Sequence, residues 1–267
     1  MRSTERNGPP AAAPAPGPGV LPRTLAVLEA FDPSSLVLGV SEIARRSGLP
    51  KSTVHRLLTD LVAERLIVKV RDPATGATAY QLGLRLFELG ERVPQHFSLS
   101  QLALPIMEDL REATRQRIHL AVLDGVDVVY VEILGSGAVE VGSRVGGRLP
   151  AHATGVGKVM LAYAGPEVVE ARIAAGLPAL TARTITTPDG LVAELRKIRT
   201  HGFALDIEES TLGVLCVAAP VFGAGRRLVA GISATGITRS IDPGTIGPAV
   251  RTAAFTLSRA LRSDASS

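Results

Sequence analysis

The chain has 267 residues, of which 46 % are hydrophobic and 20 % are charged, an ordinary composition for one large or two modest globular domains. We find no apolar run long enough for a membrane helix, no secretory signal and only one cysteine, Cys216. We therefore expect a cytoplasmic protein with no membrane partner. The net charge is +4, and residues 1–93 hold 12 Lys and Arg against 9 Asp and Glu, which weakly indicates an anionic partner for the N-terminal third.

The N-terminal third predicts a tail followed by helices. Residues 1–20 are rich in Pro, Ala and Gly, and we expect them to be disordered. A first helix is predicted over 22–31 and a second over 40–47. Gly48 can adopt the positive φ that ends a helix, and Pro50 keeps the preceding residue extended and begins a third helix.

The third predicted helix has one apolar face and one polar face, and it is followed by two short strands. Its apolar residues have the i, i+3, i+4, i+7, i+8 spacing of a buried stripe, at Val54, Leu57, Leu58, Leu61 and Val62. The strands LIVKVRD and ATAYQLG flank a turn with Pro73 and Gly76, which predicts a hairpin. Three helices and a hairpin in this order describe a winged helix-turn-helix domain, which we place at residues 21–82.

Two interpretations of the polar face of the third helix remain open. In a DNA complex, hydroxyl and backbone N–H groups at the helix start bind phosphates, Arg56 and His55 reach acceptors on bases, and a basic hairpin contacts the flanking backbone. Alternatively, the face is merely solvated, and the small domain of a signalling or scaffolding protein binds another protein. We predict the first, a double-stranded operator DNA partner, with contacts from Ser41, Arg45, Lys51, Ser52, Thr53, His55, Arg56, Lys69 and Arg71.

The rest of the chain predicts a linker helix and a larger domain. The linker occupies residues 83–97, with its helix over 82–93 limited by Pro94, and the second domain occupies residues 98–264. Helices are predicted over 98–115, 157–164, 166–176, 191–202 and 243–262, and strands over 118–124, 126–134, 139–145 (a weaker one), 202–209, 213–222 and 226–236. The strands occur in hairpin-like pairs with helices between them, which favours an α+β fold with an antiparallel sheet over a doubly wound parallel one.

Several segments, in one order and spacing, resemble the IclR family of bacterial transcription regulators. They are SEIARRSGLPKSTVHRLL, YQLG, RLPAHATGVGKVMLA, LTARTITTP, GFALDIEES and GVLCVAAPV, and the resemblance covers about residues 20–262. It implies a winged helix-turn-helix domain and a C-terminal α/β effector domain with a curved antiparallel sheet. It also implies a homodimer or tetramer that binds a palindromic operator under the control of a small metabolite, more often as a repressor of a catabolic operon than as an activator.

The chain departs from the family pattern at two places. The family usually has Gly-Glu-Thr before the strand of His119, where this chain has Arg115-Gln116-Arg117. The family often has Gly before the wing, where this chain has Arg65-Leu66. The first departure adds positive charge to the local surface, and the second bears on the angle of the wing.

A Gly-rich segment of the second domain predicts a ligand site. Thr154 can cap the helix that carries Lys158, and Gly155 and Gly157 permit close approach of the backbone, so that the helix start favours a carboxylate. The family resemblance places around it Leu149, Gly155, Val156, Asp206, Cys216, Ser233 and Thr235. We predict a small organic acid or aromatic acid effector there. The alternative is that these glycines only permit tight packing and that the hydroxyls satisfy backbone groups.

Enzymatic chemistry is not expected. The segment lacks the Walker pattern because His152 and Val159 occupy the positions that need Gly and Ser or Thr. Cys216 lies in an apolar strand, where a thiol packs as a small hydrophobe, so a catalytic set with His119 and Asp206 is disfavoured. No Cys/His cluster has zinc spacing, and we predict no cofactor and no metal.

Overall fold

The computed structural model describes residues 19–32, 34–135 and 143–264, and the chain divides into two compact units, Met1–Val93 and Pro94–Ser267. The predicted tail lies almost wholly outside the described residues. None of the helices within these ranges is long and apolar enough to cross a membrane. In the first unit, the elements are α1 (Val20–Glu29), α2 (Val40–Ser47), α3 (Lys51–Ala63), β1 (Ile67–Arg71), β2 (Thr78–Leu82) and α4 (Arg85–Gly90).

The predicted helix-turn-helix and hairpin are confirmed. Gly48 ends α2 with a φ of 69°, a value that glycine adopts without steric cost, and Pro50 is the N-cap of α3. The predicted stripe of α3 packs into one core with α1, α2 and the hairpin, four of its five residues being buried and Val62 partly so. β1 and β2 pair antiparallel from Ile67 opposite Leu82 to Arg71 opposite Thr78.

Both departures from the family pattern fall at left-handed backbone positions. Arg65, after α3, has a φ of 58°, and Arg115, after the helix that opens the second unit, has a φ of 56°. The N–H of Leu66 reaches the carbonyl of Leu61 at 2.9 Å, the hydrogen bond of a left-handed helix end. This geometry explains why glycine is the usual residue there. Among the described residues a third arginine, Arg226, shares this strained conformation with a φ of 58°.

The second unit is an antiparallel sheet covered by helices, as predicted. Within the described residues its strand order is β5-β4-β3-β8-β7-β6, with every neighbouring pair antiparallel. The sheet is curved into a half-barrel. The strands are β3 (Arg117–Asp124), β4 (Asp127–Leu134), β5 (Arg148–Pro150), β6 (Ala204–Ile207), β7 (Val214–Phe222) and β8 (Leu228–Ile237), and the helices are α5 (Pro94–Thr114), α6 (Gly155–Tyr163), α7 (Pro166–Ala174), α8 (Pro188–His201) and α9 (Pro243–Asp264).

Each face of the sheet carries its own apolar core. The core under α5 and α9 includes Met107, Ile118 and Leu257, and the core under α6 and α8 includes Met160 and Leu195. β7 contributes to both cores because successive side chains of a strand point to opposite faces. The sheet therefore stands between two helical layers, which buries α6 almost completely.

Three predicted elements were placed wrongly. The linker helix is confined to α4, and Pro94 begins α5 rather than only limiting the helix before it, because proline suits the first turn of a helix. The weak strand at 139–145 lies partly outside the described residues. Its described part, 143–145, is not a strand, and β5 lies next to β4 instead. The strand predicted over 202–209 ends at Ile207, because Glu208 has a φ of 62° that no strand accommodates.

Candidate functional site

The polar face of α3 is exposed and its cations are unpaired. Lys51, Ser52, His55 and Arg56 are exposed, and Thr53 is half-buried. Across the part of the chain that the structure describes, none of these five side chains forms a hydrogen bond or ion pair. Exposed cations with no intramolecular partner are free to bind external anions.

The start of α3 adds backbone donors to this face. Pro50 has no side chain that could cap the helix, and no other side chain in the described ranges bonds to the first turn. The first N–H groups of a helix have no acceptor within it, and the helix dipole makes this end favourable for a phosphate. The exposed face and the open helix start together form a surface suited to the DNA backbone and base edges.

Two of the other predicted DNA contacts already have partners inside the protein. Arg45 is exposed, but its guanidinium binds the carboxylate of Glu42 at 2.5 and 2.8 Å. The hydrogen bonds from Arg45 and Arg46 lower the pKa of Glu42 to about 2. Arg71 donates to the carbonyl of Gly76 at 2.9 Å within the hairpin. Ser41 and Lys69 are exposed and have no such partner in the described ranges.

The sheet register brings the predicted effector residues into one place. Cys216 on β7 pairs with Asp206 on β6 and with Thr235 on β8, and Thr235 pairs with Arg117 on β3. Directly opposed residues of an antiparallel pair point to the same face. Ser233, two residues before Thr235, shares that face and pairs with His119. Four strands thus contribute to one polar patch.

A cavity lies over this patch, and all seven predicted effector residues line it. The space that the centre of a water molecule can occupy is about 20 Å³, enough for about one water. The structure adds lining residues that our sequence-based list omitted: His119, Tyr130, Ser143, Thr154 and Ser210. A histidine inside the otherwise apolar run IHLAVL was the available signal for the first of these.

The start of α6 forms one wall of the cavity. The hydroxyl of Thr154 caps the helix by accepting from the N–H of Gly157 at 3.0 Å, as predicted. The N–H groups of Gly155 and Val156 precede any intrahelical acceptor, so they remain as donors at the positive end of the helix dipole. A Cβ at Gly155 would lie 2.9 Å from the Sγ of Cys216, so a side chain at this position would force the thiol to shift.

His119 links two walls of the cavity. Its Nε2 lies 2.9 Å from the hydroxyl of Ser143 and its Nδ1 lies 3.3 Å from the hydroxyl of Thr235. Burial, assisted by the charge of Arg117, lowers the pKa of His119 to about 3, so the ring is neutral at physiological pH. A neutral imidazole has one donor and one acceptor nitrogen, which lets it orient both hydroxyls.

Asp206 and Cys216 have roles that their surroundings restrict. Asp206 accepts the N–H of Glu209 at 2.8 Å and the hydroxyl of Ser210 at 2.6 Å, so it organises the loop after β6. Burial raises the pKa of this carboxyl, and the bonds from Ser210 oppose the rise. Burial also raises the pKa of the Cys216 thiol to about 11, which keeps it protonated and unsuited to act as a nucleophile.

A buried ion pair lies behind this wall. Lys158 of α6 is fully buried, and its ammonium binds Glu209 and lies 3.7 Å from Glu194. The second carboxylate oxygen of Glu209 has no hydrogen-bond partner within the described ranges. Lys158 therefore joins α6 to the same loop that Asp206 organises, and it is not available to a ligand in the cavity.

No metal centre accompanies these groups: among the described residues, no cluster of three or more His, Cys, Asp or Glu side chains could hold an ion. Outside the cavity, Arg117 has a buried Nε without a partner in the described part of the chain, directly across the sheet from Thr235. Arg117 is one of the family departures, and it places positive charge beside the polar patch.

Comparisons with known proteins agree with both halves of this architecture. The family described as "IclR helix-turn-helix domain" matches residues 20–71, and "Bacterial transcriptional regulator IclR C-terminal" matches residues 92–259. The Escherichia coli protein "HTH-type transcriptional regulator XynR" is 35% identical over 244 residues, covering 90% of this chain and 95% of the relative. "Transcriptional repressor IclR" of the same organism is 33% identical, covering 89% and 88%.

Solved structures show the same fold. An IclR homolog from Microbacterium hydrocarbonoxydans, crystallised with 4-hydroxybenzoate, is 32% identical with a TM-score of 0.80, covering 92% of this chain and 100% of the other. The Thermotoga maritima IclR is 28% identical with a TM-score of 0.71, covering 90% and 98%. These matches agree with the exposed basic face of α3 and with the cavity of the second unit. This chain belongs to the IclR family and is a ligand-responsive, DNA-binding transcriptional regulator.

Proposed function

We propose that the chain represses a catabolic or metabolic operon by binding a palindromic operator, and that a small organic or aromatic acid in the cavity alters this binding. The observation that carries the DNA half is the set of unpaired cations at the uncapped start of α3. A relative with 33% identity is named a repressor, which favours repression over activation.

Each predicted DNA contact has a role in this proposal. Arg56 and His55 read base edges in the major groove, while Lys51, Ser52 and Thr53 bind phosphates together with the N–H groups of the helix start. Lys69 and Arg71 contact the backbone from the hairpin, and Ser41 and Arg45 do so from the start and the outer face of α2. Arg45 and Arg71 would exchange their intramolecular partners for phosphate, so we expect smaller contributions from them.

The lining of the cavity supports an acidic effector. Its donors are the N–H groups at the start of α6, the hydroxyls of Ser233 and Thr235, and the imidazole of His119, while Leu149 and Val156 supply an apolar wall. Asp206, already holding the loop after β6, is the acceptor for a ligand hydroxyl. A relative was crystallised with 4-hydroxybenzoate, which has this combination of groups. The cavity has room for about one water, so the lining must move apart when an acid enters.

Exposed apolar side chains of the first unit support a homodimer. Leu21 and Leu25 on α1 are 68% and 47% exposed, and Leu84 and Phe87 at α4 are 73% and 61% exposed. A second copy related by a two-fold axis would cover such side chains and would place two α3 helices on two half-sites. One recognition helix alone covers too few base pairs to locate an operator.

The DNA half is tested by selecting operators from random duplexes with the full chain and then titrating binding against salt. We expect an enriched palindrome and a steep fall in affinity as salt increases, because several phosphates lose their cation contacts. No enrichment, with binding to a protein partner instead, would establish the alternative of a signalling or scaffolding protein.

The effector half is tested with 4-hydroxybenzoate and a panel of hydroxy- and keto-acids, by thermal shift and then calorimetry on the full chain. At least one acid should raise the melting temperature and change operator affinity measured by fluorescence anisotropy. A neutral hydrocarbon of the same size, such as toluene, is the control. If only the hydrocarbon binds, the acid assignment is wrong.

A further inference from the structure

A second and larger cavity lies on the second unit, away from the polar patch. Its volume is about 530 Å³, within the range of small-molecule sites, compared with about 20 Å³ for the first cavity. It shares no lining residue with the first cavity. It lies between the end of β7 and one face of α9, and we call it the α9 groove.

The α9 groove exists because β6 is shorter than its neighbour. β6 pairs with β7 only as far as Ala204 opposite Ala218, whereas β7 continues to Phe222. Past Ala218, β7 has β8 on one side and no strand on the other among the described residues. Tyr163, at the end of α6, packs its ring against Phe222 at 5.3 Å between centroids and closes one end of the groove.

The exposed edge of β7 is a poor template for an added strand. Pro220 has no N–H, and the N–H of Phe222 is taken by the hydroxyl of Ser258 at 2.9 Å. Two of the four residues in the overhang therefore cannot donate to an incoming peptide, which is how natural sheets blunt their edges. Recognition in the α9 groove must come from side chains instead.

The side chains around the groove combine an apolar floor with positive charge. Ala219, Pro220 and Ala254 form the floor, and the ring of Phe255 is 60% exposed. Three arginines line the groove, and none of its described lining residues is acidic. Arg226 and Arg251 are exposed and have no hydrogen bond or ion pair in the described ranges. Six of the described cations elsewhere in this unit, such as Arg148 and Arg172, are instead paired with carboxylates.

We propose that the α9 groove is a second ligand site, which binds an organic anion with a flat apolar body. The body lies on the floor against Phe255, and the anionic group binds Arg226 and Arg251. An exposed aromatic ring beside two guanidinium groups matches such a molecule, because guanidinium forms paired hydrogen bonds with carboxylate or sulfonate oxygens. The proposal adds a site to the effector cavity and does not depend on that cavity being occupied.

The test uses 8-anilinonaphthalene-1-sulfonate as the probe, titrated into the full chain at 0.15 M salt and followed by fluorescence. The parent protein should bind one probe per chain in the groove. The double variant Arg226→Gln, Arg251→Gln should weaken binding by about tenfold or more, the loss expected for hydrogen bonds to a charged group. Phe255→Ala should also weaken binding, and because the ring is 60% exposed, its removal leaves the packed core intact.

Two control variants make the result decisive. Arg259→Gln removes the same charge from an exposed position of α9 that does not line the groove, and Thr235→Ala alters the first cavity. Both should bind the probe as the parent does. Equal weakening by Arg259→Gln would show a general charge effect, and weakening by Thr235→Ala would place the probe in the first cavity. Either result overturns the proposal, as does the absence of binding to the parent.

The groove could also be covered by a second copy of the chain, and sedimentation velocity distinguishes this alternative from a ligand site. If Phe255→Ala and the double arginine variant both lower the oligomeric state of the parent, the groove is an interface and the ligand proposal is wrong. An unchanged oligomeric state together with the loss of probe binding supports it.

Discussion

The starts of α3 and α6 serve opposite purposes although both are positive helix ends. α3 begins at Pro50 without a side-chain cap, and its cations Lys51 and Arg56 are exposed and unpaired. α6 begins at Thr154 with a side-chain cap, and its cation Lys158 is buried against Glu209. A surface that binds a polyanion exposes its cations to solvent and leaves them without intramolecular partners. A cavity that binds one small molecule satisfies most of its groups internally and leaves only a few donors.

The largest expected effect on stability comes from a glycine at the start of α6. A Cβ at Gly157 would lie 2.1 Å from the backbone oxygen of Ala151, so Gly157→Ala would push the start of α6 away from Ala151. We expect a loss of more than about 4 kcal/mol in the free energy of unfolding, the range of severe core defects. Thermal and urea unfolding of the full chain would measure it.

A glycine in an open helical position should give the opposite change in the free energy of unfolding. Gly90, in the last turn of α4, is exposed, and a Cβ there would meet no atom within 4 Å outside its chain neighbours and its own helix backbone. Gly90→Ala should therefore gain up to about 1 kcal/mol, because alanine is the better helix former. Equal stability of the two variants would contradict the close packing of α6 on Ala151.

Removing one lysine from each region should separate stability from DNA binding. Lys158→Met leaves Glu209 as an unpaired buried carboxylate and should lower the free energy of unfolding by about 3–5 kcal/mol. Lys51→Met should change stability by no more than about 0.5 kcal/mol. It should instead weaken operator binding and reduce the magnitude of the salt slope by about 1. If Lys51→Met is as destabilising as Lys158→Met, the buried ion pair of Lys158 does not contribute more to stability than the exposed Lys51.

A second pair of variants separates the two binding reactions. Arg56→Ala should cost about 1–3 kcal/mol at the operator and blur the preference at one base pair. Ser233→Ala should weaken the binding of the acid effector about tenfold or more, through the loss of a hydrogen bond to a charged group. Anisotropy with operator DNA and calorimetry with the effector measure the two affinities, and each variant should leave the other reaction nearly intact. Parent-like operator binding by Arg56→Ala would remove α3 from base recognition.

The smallest effect concerns two of the three arginines with a positive φ, Arg65 in the first unit and Arg115 in the second. Arg65→Gly and Arg115→Gly should each stabilise the protein by about 1 kcal/mol, because glycine adopts a positive φ without steric cost. Arg196→Gly, in the middle of α8 and exposed, should lose about 1 kcal/mol. Urea unfolding distinguishes the signs. Destabilisation by all three would show that the side chains of Arg65 and Arg115 contribute more than their backbone strain costs.

The sequence by itself determined the elements whose signals are local. The spacing of Val54, Leu57, Leu58 and Leu61 set the buried face of α3 and thereby its exposed face, and Gly48 and Pro50 set the turn before it. The Thr154 cap was also visible, since a threonine before glycines at a helix start has one obvious acceptor role. The seven predicted cavity residues came from the family resemblance, not from periodicity.

Only the tertiary structure decided what depends on the register of distant strands. Asp206, Cys216, Thr235 and His119 meet because four strands pair in one particular alignment, and a shift of one residue would turn each to the other face. The burial of Lys158 and the overhang of β7 that creates the α9 groove likewise follow from where strands stop and which helix covers them. These are non-local packing outcomes, whereas a helix stripe, a cap or a turn is specified within a few residues of itself.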